Sequence, residues 1–167
     1  MIKKLITTFL GLLLGLFLFA VGLVTVAILV TYPKLPPLDA VKYYQPHEPL
    51  TIYSAEGVVI GSYGDEKRAF TTIDQFPEVL KNAVIAAEDK RFREHWGVDV
   101  IGVIRAAISN ASGGAKQGAS TITQQVARNF YLTNERTMTR KFNEALLAYK
   151  IEKTLTKDQI LELYFNQ

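Results

Sequence analysis

Roughly 26 consecutive positions, residues 5–30, carry no charged side chain. Backbone N–H and C=O groups in hydrocarbon must be satisfied within their own segment, so an apolar run of this length crosses a bilayer as a helix. Tilt accommodates the residues beyond the ~20 that the hydrocarbon core requires. Lys3 and Lys4 stand just before the run and set the N-terminus on the cytoplasmic side. The alternative is a cleaved signal peptide, but its apolar core is usually shorter and no small-x-small cleavage pattern ends this run. The expected organisation is a cytoplasmic tip and uncleaved anchor over residues 1–31, then a linker over 32–49. Pro33, Pro36 and Pro37 make that linker stiff and extended. A domain outside the cytoplasm follows over 50–167.

Charge excludes one class of partner. The chain has 19 basic and 16 acidic residues. Without Lys3 and Lys4 the two signs nearly balance, whereas a nucleic-acid binder concentrates positive charge on one surface. There is no cysteine, hence neither disulfide nor thiolate chemistry. His47 and His95 are the two histidines and lack metal-ligand spacing.

Periodicity predicts a mainly α domain with one small β-hairpin, whose strands (50–54 and 58–63) flank Ala55, Glu56 and Gly57. Its expected role is packing support near the membrane. Asp74 and Pro77 start a helix reaching about Ala87, which leaves Glu88 at its C-terminal end, where the dipole disfavours a carboxylate. Further helices are expected over about 99–109, 120–131 and 136–155, with a flexible connection over 112–118. Thr156 with Gln159 forms a capping-box pattern for a last helix. In the 120–131 helix, with Ser120 as N-cap, Ile122, Val126 and Phe130 share one side. Thr121, Gln124, Gln125 and Arg128 share the other. That polar face suits the oxygens of an anionic, sugar-like ligand; an ordinary amphipathic surface helix fits the same pattern. The 136–155 helix reads as apolar on two sides. Met138, Phe142, Leu146 and Tyr149 form one; Leu147, Ala148, Ile151 and Leu155 form the other. Glu144 lies on the second side, with Arg140 and Lys141 one turn before it.

Four motifs in order carry a resemblance. Residues 88–97 read Glu-Asp-x-x-Phe-x-x-His-x-Gly, 118–125 Gly-x-Ser-Thr-x-Thr-Gln-Gln, 140–144 Arg-Lys-x-x-Glu, and 162–166 Glu-x-Tyr-x-Asn. The chain thereby resembles the glycosyltransferase domain shared by class A penicillin-binding proteins and monofunctional peptidoglycan glycosyltransferases, closest in pattern to the 1A type. The resemblance implies a lysozyme-like helical domain on the inner membrane. It would join lipid II to a lipid-linked glycan chain by inverting transfer, making β-1,4 strands for the cell wall. Other cell-wall synthesis proteins are possible partners; nucleic acid is not.

The resemblance also implies roles. Glu88 is the general base that takes the acceptor hydroxyl's proton. Glu144 is the second catalytic carboxylate; being anionic itself, it orients Arg128, Arg136 or a divalent cation such as Mg or Mn. Ser120, Gln124, Arg128, Arg136, Arg140 and Lys141 surround the pyrophosphate, where arginine binds oxygens in a bidentate manner. Arg128 stands where many members have lysine. Asp89 tunes Glu88 or holds local structure, Phe92 and His95 shape the loop, and Trp96 packs.

Two other readings stand beside this one. A lytic hydrolase on a similar fold would commonly need a second carboxylate as acid or water activator. A membrane-anchored fragment could bind lipid II or partners without turnover. The sequence ends inside the fourth motif and holds no Ser-x-x-Lys or Lys-Thr-Gly triplet. The expectation is an amino-terminal piece of a larger enzyme, with an incomplete domain that does not polymerise lipid II alone.

Overall fold

The computed structural model describes residues 2–44, 49–64, 70–113, 118–133, 135 and 137–167. The chain divides into two units, Met1–Pro36 and Pro37–Gln167. The first unit is helix α1 (Ile2–Thr31) followed by a 3-10 turn at Tyr32–Lys34. At 1.5 Å per residue, α1 is about 45 Å long, more than the ~30 Å of a bilayer core. By length and composition it can cross a membrane, and none of its apolar window is buried within the protein. Thr7, Thr8 and Thr25 return their hydroxyls to backbone carbonyls of the preceding turn, which hides their polarity inside the helix.

The second unit opens with a one-turn helix, α2 (Asp39–Lys42). Helical turns thus interrupt the extended linker expected over 32–49. Leu38 and Val41 are buried, the Val41 N–H donates to the Tyr131 phenol (3.3 Å), and Tyr44 meets Phe130 edge-on. Burial of apolar side chains accounts for the turn that a proline count alone missed. The hairpin forms as expected, β1 (Leu50–Tyr53) antiparallel to β2 (Val59–Tyr63), with Leu50 opposite Tyr63 and a register shift between Ile52 and Tyr53. Its side chains are mostly exposed, so among the described residues it lends no packing support.

Five helices follow: α3 (Glu78–Glu88), α4 (Val100–Ala111), α5 (Ile122–Tyr131), α6 (Met138–Glu152) and α7 (Lys157–Asn166). The core lies among α5, α6 and α7. Ile122, Val126, Leu147, Ala148, Ile151, Ile160 and Leu161 are fully buried there. Of the first expected apolar side of α6, Leu146 is buried and Phe142 half-buried, whereas Met138 and Tyr149 at the two ends are exposed. Trp96 also differs, being exposed rather than packed, whereas Phe92 in the same loop is fully buried. Most of the connection over 112–118 lies outside the described residues.

The fourth motif fastens the chain's early segment to this core. Asn166 accepts the Thr71 N–H and donates to the Thr71 carbonyl, both at 2.8 Å, and Glu162 accepts the Ile73 N–H at 2.7 Å. Ile73 begins the 3-10 turn (Ile73–Gln75) that leads through Pro77 into α3. Phe76 stacks on Phe165 beside it. The path into α3 is therefore set by α7, and α3 ends on Glu88.

Candidate active site

Glu88 and Asp89 are sequence neighbours with opposite surroundings. Glu88, the last residue of α3, is exposed and accepts from Gln125 Nε2 at 2.9 Å. Asp89 is the C-cap and is buried. His95 Nε2 lies 2.9 and 3.0 Å from its two oxygens, and the Ile122 N–H donates to Oδ2 at 3.1 Å. Facing a carboxylate, Nε2 is the nitrogen that carries the proton. Asp89 thus holds the loop to the start of α5, in keeping with a structural part.

That start is built around Thr121. Its side chain accepts the Gln124 N–H while Gln124 Oε1 accepts the Thr121 N–H, a reciprocal capping box. Thr121 Oγ1 also donates to the Gly97 carbonyl at 2.6 Å. The N-cap is therefore Thr121, not Ser120, and the polar face expected on α5 is split. Thr121 and Gln124 are buried in the cap; Gln125 and Arg128 remain at the surface. Gly97, at φ +86°, lets the loop lie against α6, where a Cβ would stand 2.7 Å from the Ala148 carbonyl carbon.

Ser120, released from capping, accepts from Lys141 Nζ at 2.7 Å. Lys141 also donates to Glu144 Oε1 at 2.5 Å, and Arg140 Nη1 donates to Glu144 Oε2 at 2.6 Å. Glu144 has no exposed surface, whereas the Lys141 side chain is 40% exposed. One buried carboxylate therefore anchors two cations, and the trio carries a net positive charge next to the first turn of α5. The i, i+3 and i, i+4 spacing on one helix puts both cations within reach of a single carboxylate.

An open cleft of about 260 Å³ adjoins these groups, lined among others by Glu88, Lys90, Arg105, Gly118, Ser120 and Thr121. Arg91, also there, is paired with Asp99, which caps α4 through the Gly102 N–H. Among the described residues no group of three or more His, Cys, Asp or Glu could hold a metal ion. Both Glu144 oxygens are taken by cations, so a divalent ion there would meet two positive charges. The described residues around Glu144 do not fit a Mg or Mn held there by protein side chains alone.

The structure thus brings Ser120, Arg140, Lys141 and Glu144 into one cluster, and sets Glu88 on Gln125 of α5. Gln124 is in the cap. Arg128 lies on α5, its Nε donating weakly to Asn129 Oδ1 (3.4 Å). Arg136 lies outside the described residues. Three residues escaped the sequence reading. Gln125 was grouped with the polar face but not matched to Glu88. Tyr164 sits in the quoted fourth motif with no role. Burial pushes its phenol above the usual value; the negative charge of Glu88 adds to that push and the positive charge of Arg128 opposes it. It therefore neighbours both. Lys157 follows the Thr156 cap and gave no signal of its own.

The transglycosylase family model matches residues 56–167. Penicillin-binding protein 1A of Neisseria cinerea is 70% identical over the whole chain, and that of Neisseria gonorrhoeae 69%. Penicillin-binding protein 1A of Escherichia coli (strain K12) is 52% identical over 81% of the chain and is matched over 16% of its own length. The chain spans 21% of the length of the Neisseria relatives.

Proposed function

The chain belongs to the transglycosylase family, and from that premise we propose that it is the anchor and catalytic-centre portion of a membrane-bound peptidoglycan glycosyltransferase that polymerises lipid II. In this reading α1 is the anchor, with Lys3 and Lys4 on the cytoplasmic side and the second unit on the outer face of the cytoplasmic membrane. The substrates are lipid II as acceptor and a lipid-linked glycan chain as donor.

Glu88 is the base. Gln125 fixes one carboxylate oxygen, and the other accepts the proton of the acceptor's sugar 4-hydroxyl. The oxygen so freed forms the bond to the donor's anomeric carbon as the bond to the lipid pyrophosphate breaks. The electron pair leaves with the pyrophosphate, and the proton passes from exposed Glu88 to water. A single displacement inverts the configuration. Lys141, Arg140, Arg128 and Arg136 take up the leaving group's charge, which needs cations rather than a proton donor. Glu144 holds Lys141 and Arg140 in place, Ser120 steers Lys141, and Gln124 acts through the helix cap.

The observation that carries this reading is the division of labour around α5, with an exposed carboxylate at one point and a carboxylate-anchored cation pair at another. A hydrolase would use a second free carboxylate. Asp89 and Glu144 are both buried and accept from donors on both oxygens, and Asp99, which lines the cleft with Glu88, is paired with Arg91 and caps α4.

The test compares wild type with Glu88→Gln, reading lipid II binding in this chain and polymerisation in a chimera where it replaces the matching segment of the Neisseria cinerea relative. Lipid II binding should persist in Glu88→Gln while glycan strand formation falls at least a hundredfold, within the range removal of a general base produces. Near wild-type polymerisation by Glu88→Gln, or none by the wild-type chimera, overturns the proposal.

A further inference from the structure

Lys157 opens α7, a position that on most helices is solvated and unremarked. Here its side chain is only 20% exposed. Its Nζ donates to Glu152 Oε1 on α6 at 2.6 Å and to the His95 carbonyl at 2.7 Å, and lies 4.5 Å from the centroid of the fully buried Phe92 ring. Glu152 Oε1 also accepts from Thr123 Oγ1 of α5 at 2.6 Å. One ammonium thus joins α5, α6 and α7 to the loop over residues 90–97. The neighbouring Arg93–Asp158 pair spans the same gap at 3.1 Å, but both side chains are more than half exposed, where water leaves such a pair little strength.

The connection continues toward the chemistry. His95, whose carbonyl accepts the hydrogen bond from Lys157, turns its ring onto Asp89. Asp89 accepts the Ile122 N–H and directly follows Glu88, and Gln125, one turn along α5 from Ile122, holds the Glu88 carboxylate. Both ends of α5's first turns are thereby referred to the same half-buried ammonium, through Thr123 and Glu152 on one side and through His95 and Asp89 on the other. Resting on the function proposed above, we infer that Lys157 is a positioning residue for the general base. It fixes the 90–97 loop against α5 and α6, and so sets where the Glu88 carboxylate stands relative to Gln125 and the cation pair. It touches neither substrate. A purely electrostatic part, in which Lys157 only neutralises buried Glu152, makes a different prediction. Any neutral pair at 152 and 157 would then serve equally well.

The experiment uses Lys157→Met, which keeps the apolar stem over Phe92 and removes the donors, together with Lys157→Arg and the double variant Lys157→Met/Glu152→Gln. Hydrogen exchange of residues 90–97 is read in this chain in detergent, without substrate. Polymerisation of lipid II is read in the chimera with the Neisseria cinerea relative. Lys157→Met should speed exchange across 90–97 at least tenfold and leave α1 and α4 unchanged. Its kcat should fall by roughly ten- to a hundredfold, the scale of a 1 Å misplacement, with KM within about twofold. Lys157→Arg should recover part of the loss. The double variant should melt close to wild type yet keep the fast loop and the low kcat. Unchanged exchange at 90–97 in Lys157→Met, or wild-type kcat in the double variant, overturns the inference. A wild-type chimera that makes no glycan rejects the proposed function instead, and the exchange result still decides whether Lys157 holds the loop.

Discussion

Substituting Gly97 by alanine tests how closely the loop lies on α6. Two costs combine there. The backbone is at φ +86°, which costs a residue with a Cβ about 1–2 kcal/mol relative to glycine. The new methyl would stand 2.7 Å from the Ala148 carbonyl carbon and 2.9 Å from its oxygen, both backbone atoms of a packed helix that cannot rotate away. Overpacking of this kind costs about 1–3 kcal/mol. Gly57 is the internal control, since its φ is +82° but nothing lies within 4 Å of the position its Cβ would take. Gly57→Ala should therefore cost about 1–2 kcal/mol and Gly97→Ala about 2–5 kcal/mol. At about 4 °C per kcal/mol for a domain of this size, Gly97→Ala should melt some 4–12 °C below Gly57→Ala. Circular dichroism at 222 nm in one detergent, with both variants and wild type in parallel, provides the comparison. If the two variants melt within about 2 °C of each other, the loop does not rest on α6 as described, and the reasoning that ties Thr121 and His95 to α6 through Gly97 fails with it.

Glu144→Ala should cost about 3 kcal/mol, because it strands largely buried Arg140 while Lys141 can turn to water; denaturant unfolding checks this, and weakened binding of a lipid-pyrophosphate-linked glycan donor checks the cluster's role. Glu88→Gln should lower the Tyr164 pKa, since it removes one of the charges that raise it while burial continues to do so. A folded-state pKa above the ordinary 10.0 means that Tyr164's contribution to stability is complete below that pH and is lost as pH rises through the folded value, so in the variant the loss should be smaller and finish at a lower pH. Alkaline titration by tyrosine NMR reads the shift, and an unmoved Tyr164 would separate it from Glu88. A photo-crosslinker at Ile104 should label lipid, because Val100, Ile101, Ile104 and Ile108 of α4 are all exposed and do not pack in the core; labelling of protein alone would count against a membrane-facing α4.

Local signals were legible where one segment supplies them all. Pro77 and the apolar run after it placed Glu88 at a helix end, and Thr156 with Gln159 marked α7 correctly. The start of α5 was missed by one residue although its signal was present. Gln124 is three residues after Thr121 and four after Ser120, so only Thr121 can close the box with it. That slip had a consequence, since it left Ser120 as a cap and Thr121 and Gln124 as a ligand face. Periodicity places residues on a side of a helix but does not say which neighbour covers that side. For the same reason Met138 and Tyr149, which share a side of α6 with buried Leu146, looked like core. The Glu144 cluster could be read because its three members share one helix. The Lys157 and Asp89 contacts could not, because each joins residues brought together only by the packing of the loop over 90–97.

The two acids at the end of α3 differ in fate by a single rotation step. Each residue of an α-helix turns the next side chain by about 100°. The entry of α3 is fixed by the Asn166 and Glu162 bonds to residues 71–73, and its exit by the Asp89 contacts to His95 and Ile122. With both ends tied, gaining or losing one residue between Pro77 and Glu88 would turn Asp89 outward and a different side chain inward. Natural variation in this protein should therefore change the identity of exposed residues along α3 freely, as at Val79 and Asn82, but not their number, whereas the β-hairpin turn around Gly57, tied at neither face, should accept insertions.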